Sequence, residues 1–271
     1  MDVEALADGV HVVESGPRLV NGKDAPLLLC LHGIGSSSAS FARLAEDLAD
    51  SVRVVRWDAP GYAASADPEQ APGLDGYADA AAELIRRRGG SAHVLGVSWG
   101  GVIALRLAVR HPELVASLVV ADCSVGSGAD PDATQRMRAR AGQLAEQGSE
   151  AFAAERGPRL VSDAAPAELV DRVARTMADS IRLPGYGYAA EAMAEADLTP
   201  ELPQITAPVL VVCGEKDRVT GPAASQAVAG GLRRVAYVVI ADAGHLANQE
   251  QPDAFHSWVR AHLHVTARVP F

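Results

Sequence analysis

The chain has 271 residues, 48% apolar and 21% charged, which is enough for one large domain with a substantial buried core. Acidic residues outnumber basic ones by 34 to 24, giving a net charge of −10, and no cluster of Lys and Arg offers a surface to phosphates, which argues against nucleic acid as a partner. No apolar run approaches the ~20 residues of a bilayer span and Met1 to Asp8 lack the basic start and apolar segment of a leader, so a cytoplasmic protein without a membrane partner is expected.

In chain order, short runs rich in Val, Leu and Ile predict strands at 10–14, 27–31, 52–57, 92–97, 114–121, 209–213 and 235–240. Apolar spacing of three to four residues predicts helices over 40–49, 75–88, 99–110, 222–230 and 252–264. Strands alternating with helices are the pattern of a largely parallel sheet covered on both faces. The alternation breaks after Asp122. From 127 to 203 the patterns are helical, at 133–147 and 167–180, punctuated by Gly157-Pro158, Ala165-Pro166 and Pro184-Gly185. A helical insertion between two core strands is the economical reading, with core at 1–126, insertion at 127–203 and core again at 204–271.

The insertion carries Met137, Phe152, Met177, Ile181, Tyr186, Tyr188 and Met193, residue types that mostly pack such a segment onto its core. Met137, Met177, Tyr186, Tyr188 and Met193, with Leu246 downstream, are the candidates for substrate contact. Cys30, Cys123 and Cys213 are odd in number and lie in or beside strand-like runs, so they read as buried thiols. No pair among His11, His93, His111, His256, His262 and His264 has metal-ligand spacing, and no metal is expected.

The chemistry centres on Gly96-Val97-Ser98-Trp99-Gly100-Gly101, which falls between a predicted strand and a predicted helix. A turn that sharp holds the Ser98 hydroxyl out, brings neighbouring segments close enough to require glycine, and aims the first amides of the helix at the same spot. A serine hydroxyl is a weak nucleophile and needs a base with an orienting carboxylate. Asp217 follows the strand at 209–213, and His245 follows the strand at 235–240. Both then lie at the carboxyl edge of a parallel sheet, the edge where Ser98 also lies. Asp122, at the end of the strand at 114–121, is the alternative acid.

With this order of serine, acid and histidine, with Leu31-His32-Gly33-Ile34-Gly35, and with Asp58-Ala59-Pro60-Gly61-Tyr62-Ala63-Ala64-Ser65, the chain resembles the α/β-hydrolase superfamily from about Leu27 to His264. Ala63 stands where the family's segment usually has its second Gly, a departure expected to adjust a turn. The resemblance implies an α/β-hydrolase fold: a mostly parallel eight-stranded sheet flanked by helices, with a helical cap inserted between the sixth and seventh strands. It implies Ser98 as nucleophile, His245 as base and then acid, Asp217 as its orienting carboxylate, and the amides of Ile34 and Trp99 as the oxyanion hole, with His32 supporting that loop. No cofactor is implied. The expected reaction is hydrolysis of an ester or lactone through an acyl-enzyme by a monomer or homodimer. The insertion is modestly apolar and offers no pair of arginines to place over the site, so a small to medium, mostly uncharged acyl substrate is expected. The alternatives are a carbon–carbon bond hydrolase of a vinylogous diketone, or a non-hydrolytic lyase, cyclase or receptor-like member of the fold.

Overall fold

The computed structural model describes residues 3–7 and 9–267. Its strands are β1 (Val3–Ala7), β2 (Val10–Ser15), β3 (Leu19–Val20), β4 (Lys23–Asp24), β5 (Leu27–Leu31), β6 (Arg53–Trp57), β7 (Ala92–Val97), β8 (Val115–Ala121), β9 (Val209–Gly214) and β10 (Val235–Ile240). The α-helices are α1 (Ala42–Asp47), α2 (Gly73–Arg86), α3 (Trp99–Arg110), α4 (Pro131–Arg156), α5 (Ala167–Ser180), α6 (Gly185–Glu195), α7 (Gly221–Gly231), α8 (Ala247–Glu250) and α9 (Pro252–Ala267). Eight strands form one sheet in the order β1-β2-β6-β5-β7-β8-β9-β10, and β3 and β4 make a separate hairpin. Only β1 with β2 and β2 with β6 pair antiparallel within that sheet.

Every residue of β5, β7 and β9 is buried, because helices cover both faces. Along β5 the side chains alternate between two cores. Leu27, Leu29 and Leu31 join Tyr77, Trp99 and Val102 from α2 and α3, while Leu28 and Cys30 join Leu44 of α1 and Phe255, Val259 and Leu263 of α9. The three cysteines are buried and free. No helix among the described residues is long and apolar enough to cross a membrane.

Five elements were not legible in the sequence: the short β3, β4 and α8, and the longer β1 and α6. Val3–Ala7 carries Glu and two Ala, and its strand state comes from pairing with β2, from Val3 opposite Glu14 to Ala7 opposite Val10. Pro184-Gly185 reads as a breaker, yet Pro184 is the N-cap of α6 and Gly185 its first residue, positions where a missing amide proton costs nothing. The pattern at 133–147 is part of a longer element, α4, in which Gly148 leaves helical geometry at φ 76° and ψ 163°. Asp130 caps its start, accepting from the amides of Asp132 at 2.9 Å and Ala133 at 3.2 Å.

Helices α4, α5 and α6 lie between β8 and β9 and dock on the loop after β6. The Ala63 amide donates to the Ser180 carbonyl at 2.9 Å, and Arg182 Nη1 donates to the Ala63 carbonyl at 2.9 Å. Gly61 and Gly185 meet backbone to backbone: a Cβ on Gly185 would stand 2.1 Å from the Gly61 oxygen. Ala63 sits at φ 41°, in the left-handed region, which accounts for the glycine usual at this point of the pattern. That conformation costs alanine about 1–2 kcal/mol, against which glycine gives back about 0.4–1 kcal/mol of unfolded-state entropy. Ala63→Gly is therefore expected to stabilise the protein by about 0.5–1 kcal/mol, read as a rise in the urea unfolding midpoint at unchanged slope.

Candidate active site

Strand β7 ends at Val97 and α3 begins at Trp99, so Ser98 alone makes the turn, at φ 55° and ψ −118°. A non-glycine residue held there stores about 1–3 kcal/mol of strain, which persists only if the surroundings over-determine it. They do so by contact. A Cβ on Gly96 would stand 2.2 Å from the Gly100 oxygen, and one on Gly100 would stand 2.0 Å from the Leu31 oxygen. The Ser98 amide is tied to the Ala121 carbonyl of β8 at 2.8 Å.

The Ser98 hydroxyl donates to His245 Nε2 at 2.9 Å, and His245 Nδ1 donates to Asp217 Oδ2 at 3.0 Å. This assignment puts the ring proton on Nδ1 and leaves Nε2 as an acceptor. Asp217 Oδ1 accepts from the amides of Val219 at 2.8 Å and Thr220 at 3.3 Å, and Oδ2 also accepts from the Thr220 hydroxyl at 2.7 Å. Burial opposes ionisation of Asp217. The hydrogen bond and charge of His245, with the Thr220 and Val219 donors, overcome it and hold the carboxyl well below the usual range.

Asp122 is fully buried 0% exposed, but its carboxylate is turned to backbone. Oδ1 accepts from the Gly214 amide at 2.7 Å and Oδ2 from the Ala247 amide at 3.4 Å, bracing the end of β9 and the segment after His245. No hydrogen bond joins it to His245 among the described residues, so the structure sets Asp217 and not Asp122 on the imidazole. Burial outweighs these amides and the charge of His245 and pushes the Asp122 carboxyl up to about 7. Asp122, Cys213 and Asp217 offer three possible ligand atoms within 4.8 Å of one another. They fit a cation poorly, since Cys213 donates to the Gly214 carbonyl at 3.2 Å, burial pushes its thiol up to about 12, and Asp217 is committed to His245.

The loop after β5 flanks the serine. A Cβ on Gly33 would be 3.4 Å from Ser98 Cβ and 4.0 Å from its hydroxyl oxygen. His32 fixes this loop, its Nδ1 donating to the Gly33 carbonyl at 2.8 Å and its Nε2 accepting from the Ala59 amide at 3.0 Å. Burial lowers the His32 pKa, keeping the ring neutral. Among the described residues, the amides of Ile34 and Trp99 are not consumed by turn or cap hydrogen bonds. The Trp99 ring points away into the core, 4.8 Å from Tyr77 and 5.4 Å from Tyr62 between centroids.

Of the insertion's candidates, Met177 reaches the loop beside Ser98: a Cβ on Gly35 would stand 2.6 Å from its methyl. Leu246 is buried beside His245, its amide donating to Leu160 at 3.0 Å. Met137, Tyr186 and Met193 are buried within the larger core cluster, and Tyr188 is half-buried. Glu250 is a residue the sequence reading missed. Its carboxylate accepts from the Gly244 amide at 2.8 Å, the Ser162 amide at 3.0 Å and the Ser162 hydroxyl, tying the His245 loop to the insertion. Its signal was its position five residues after His245, from which the single turn of α8 returns it to the start of the same loop.

The model of the alpha/beta hydrolase family matches residues 28–258. The chain is 30% identical over 244 residues to 3-oxoadipate enol-lactonase 2 of Acinetobacter baylyi, covering 88% of each chain. It is 31% identical over 238 residues to 2-(acetamidomethylene)succinate hydrolase of Mesorhizobium japonicum, covering 84% of each. Among solved structures, a thermophilic esterase from Thermogutta terrifontis, in a structure with malate bound, superposes with a TM-score of 0.84 at 26% identity, covering 98% of this chain and 99% of that one.

Glu250→Ala strips three donors of their shared acceptor and is expected to cost about 2–4 kcal/mol of stability, measured by urea unfolding. Between pH ~4 and ~7 an unfolded Asp122 has lost a proton that the folded chain keeps, so this group's contribution to stability falls as pH rises through that window. Asp122→Asn should flatten that part of the stability curve between pH ~4 and ~7, read by urea unfolding across that range.

Proposed function

The chain belongs to the alpha/beta hydrolase family and is a hydrolase, and we propose that it cleaves an ester or lactone of a small to medium acyl substrate with Ser98 as nucleophile. The observation that carries this reading is the unbroken hydrogen-bonded line from the strained Ser98 through His245 to Asp217. We assign the helical segment 127–203 as a cap over the site, supported by the contact of Met177 with the Gly35 loop and by the Leu160 and Ser162 bonds to the His245 segment. The enol-lactonase and esterase relatives favour acyl–oxygen cleavage.

In the cycle we propose, His245 Nε2 takes the Ser98 proton as Oγ attacks the acyl carbon, and the Asp217 carboxylate stabilises the imidazolium. The amides of Ile34 and Trp99 receive the negative charge that develops on the carbonyl oxygen, at the positive end of α3. His245 gives its proton to the leaving oxygen, which releases the alcohol, or opens the ring of a lactone. Water then repeats the sequence on the acyl-enzyme, releasing the acid and restoring Ser98. Because Asp217 is held well below the usual carboxylate range, it stays ionised throughout and orients the ring as pH falls toward 4.

A fluorophosphonate is expected to label Ser98 stoichiometrically in the wild type, located by peptide mass mapping. Ser98→Ala should abolish labelling and lower kcat on p-nitrophenyl esters and enol-lactones by at least about 10³-fold, and Asp217→Asn by about 10⁴-fold. Full turnover by Ser98→Ala would sink the assignment.

A further inference from the structure

His245 follows the edge strand of the sheet, which gives its loop little support. Among the described residues β10 has β9 as its one neighbour, and Val235, Ala236 and Val239 are exposed. On one side the loop after β10 is fixed to the loop that carries Asp217, where the Lys216 amide donates to the Ala243 carbonyl at 2.7 Å. The insertion holds the other side. Gly244 packs on its backbone so closely that a Cβ there would stand 2.5 Å from the Ser162 nitrogen and 2.8 Å from Val161 Cα. Beyond the histidine, the Leu246 amide donates to the Leu160 carbonyl at 3.0 Å. The residues before and after His245 are therefore both seated on the segment 160–162.

Glu250 closes this seat. Its Oε2 accepts from the Gly244 amide at 2.8 Å and the Ser162 amide at 3.0 Å, and its Oε1 accepts from the Ser162 hydroxyl. Three donors converge on one group, and a carboxylate suits them because it only accepts and its charge strengthens each bond. Ser162 is itself fixed. Its carbonyl accepts from the Ala165 amide at 3.1 Å and its hydroxyl oxygen from the Ala164 amide at 3.3 Å, in the turn that leads into α5. The far end of α5 is pinned in turn, with Met177 against Gly35 and the Ser180 carbonyl on the Ala63 amide. A second tie between insertion and sheet edge, Arg218 to Asp163 at 2.6 Å, is exposed on both partners and screened by solvent, so it contributes little. Glu250 is thus the charged link between an anchored turn of the insertion and the residue before the imidazole.

We propose that Glu250 is a positioning residue for His245: by clamping the Gly244 amide to Ser162 it aims the imidazole between Ser98 and Asp217, so that the insertion as well as the sheet sets the base. The proposal rests on the assignment of His245 as the base for Ser98. The line it must preserve is tight, 2.9 Å from Nε2 to the Ser98 hydroxyl and 3.0 Å from Nδ1 to Asp217. A misplacement of ~1 Å in such a line can cost about 10²-fold in rate. The oxygens of Glu250 are engaged with Gly244 and Ser162, away from Ser98, so its loss falls on kcat and leaves KM.

The test measures kcat and KM on p-nitrophenyl butyrate, with kcat expressed per site that a fluorophosphonate titrates at completion. That value does not depend on what fraction of a variant folds. Glu250→Ala should lower it by about 10²-fold with KM changed by less than about twofold. Glu250→Gln, which can accept from Gly244 and donate to the Ser162 hydroxyl, should recover most of the loss. Ser162→Ala should cost less, and adding it to Glu250→Ala should cost nothing further, because Ser162 acts through Glu250. An unchanged kcat per titrated site in Glu250→Ala, a loss confined to KM, or full additivity with Ser162→Ala overturns the proposal. The Nδ1 proton of His245, between two buried side chains, gives a readout that needs no turnover. Its downfield resonance in water, identified by its absence from His245→Gln, should be present in the wild type and Glu250→Gln and broadened or lost in Glu250→Ala. Its absence from the wild type, or its persistence unchanged in Glu250→Ala, overturns the positioning role. If the wild type neither hydrolyses the ester nor takes the label, the hydrolase reading has failed, and this resonance alone decides whether Glu250 aims the ring.

Discussion

The turn at Ser98 is the constraint on which the rest of the site depends. A serine at φ 55° between a strand and a helix is strained, and it stays there because Gly96 lies against Gly100 and Gly100 against the Leu31 carbonyl, distances that admit no side chain. The same contacts bring β5, β7 and the start of α3 into register, so the loop carrying Gly33 and Ile34 stands beside the hydroxyl. His32 locks that loop to Ala59, and the aromatic stack of Tyr62, Trp99 and Tyr77 fills the space beneath. Strain at one residue is thus distributed over a packed core.

A second feature is how firmly the insertion is tied to the loops that flank Ser98 and His245. Glu250 joins the Gly244 amide to Ser162, Leu246 is bonded to Leu160, and Ala63 is bonded to Ser180 and Arg182. The insertion therefore touches the His245 loop on one side and the loop after β6 on the other. Asp122 performs the matching task from below, holding Gly214 and Ala247 with one buried carboxyl.

Most of the core was legible because buried parallel strands leave a strong mark. The runs at 27–31 and 92–97 coincide with β5 and β7, and 99–110 with α3, since their residues are apolar for reasons local to each element. β1 was not legible, because Val-Glu-Ala-Leu-Ala has no strand pattern of its own and acquires its state from β2. α6 was masked by Pro184-Gly185, which stop a helix in the middle and start one at its end. Ala63 was visible as a departure from a pattern, while the left-handed backbone that explains the pattern was not.

By itself the sequence determined the family, the strained glycine-flanked serine and the order in which Ser98, Asp217 and His245 follow their strands. Short motifs carry such information because each is set by the backbone of a few neighbouring residues. Only the tertiary structure put Asp217 and not Asp122 on the His245 imidazole, since both follow buried strands and which carboxylate reaches the ring depends on how the loops cross the sheet edge. It alone revealed Glu250 as a brace, because that contact depends on how the insertion folds against the segment after His245.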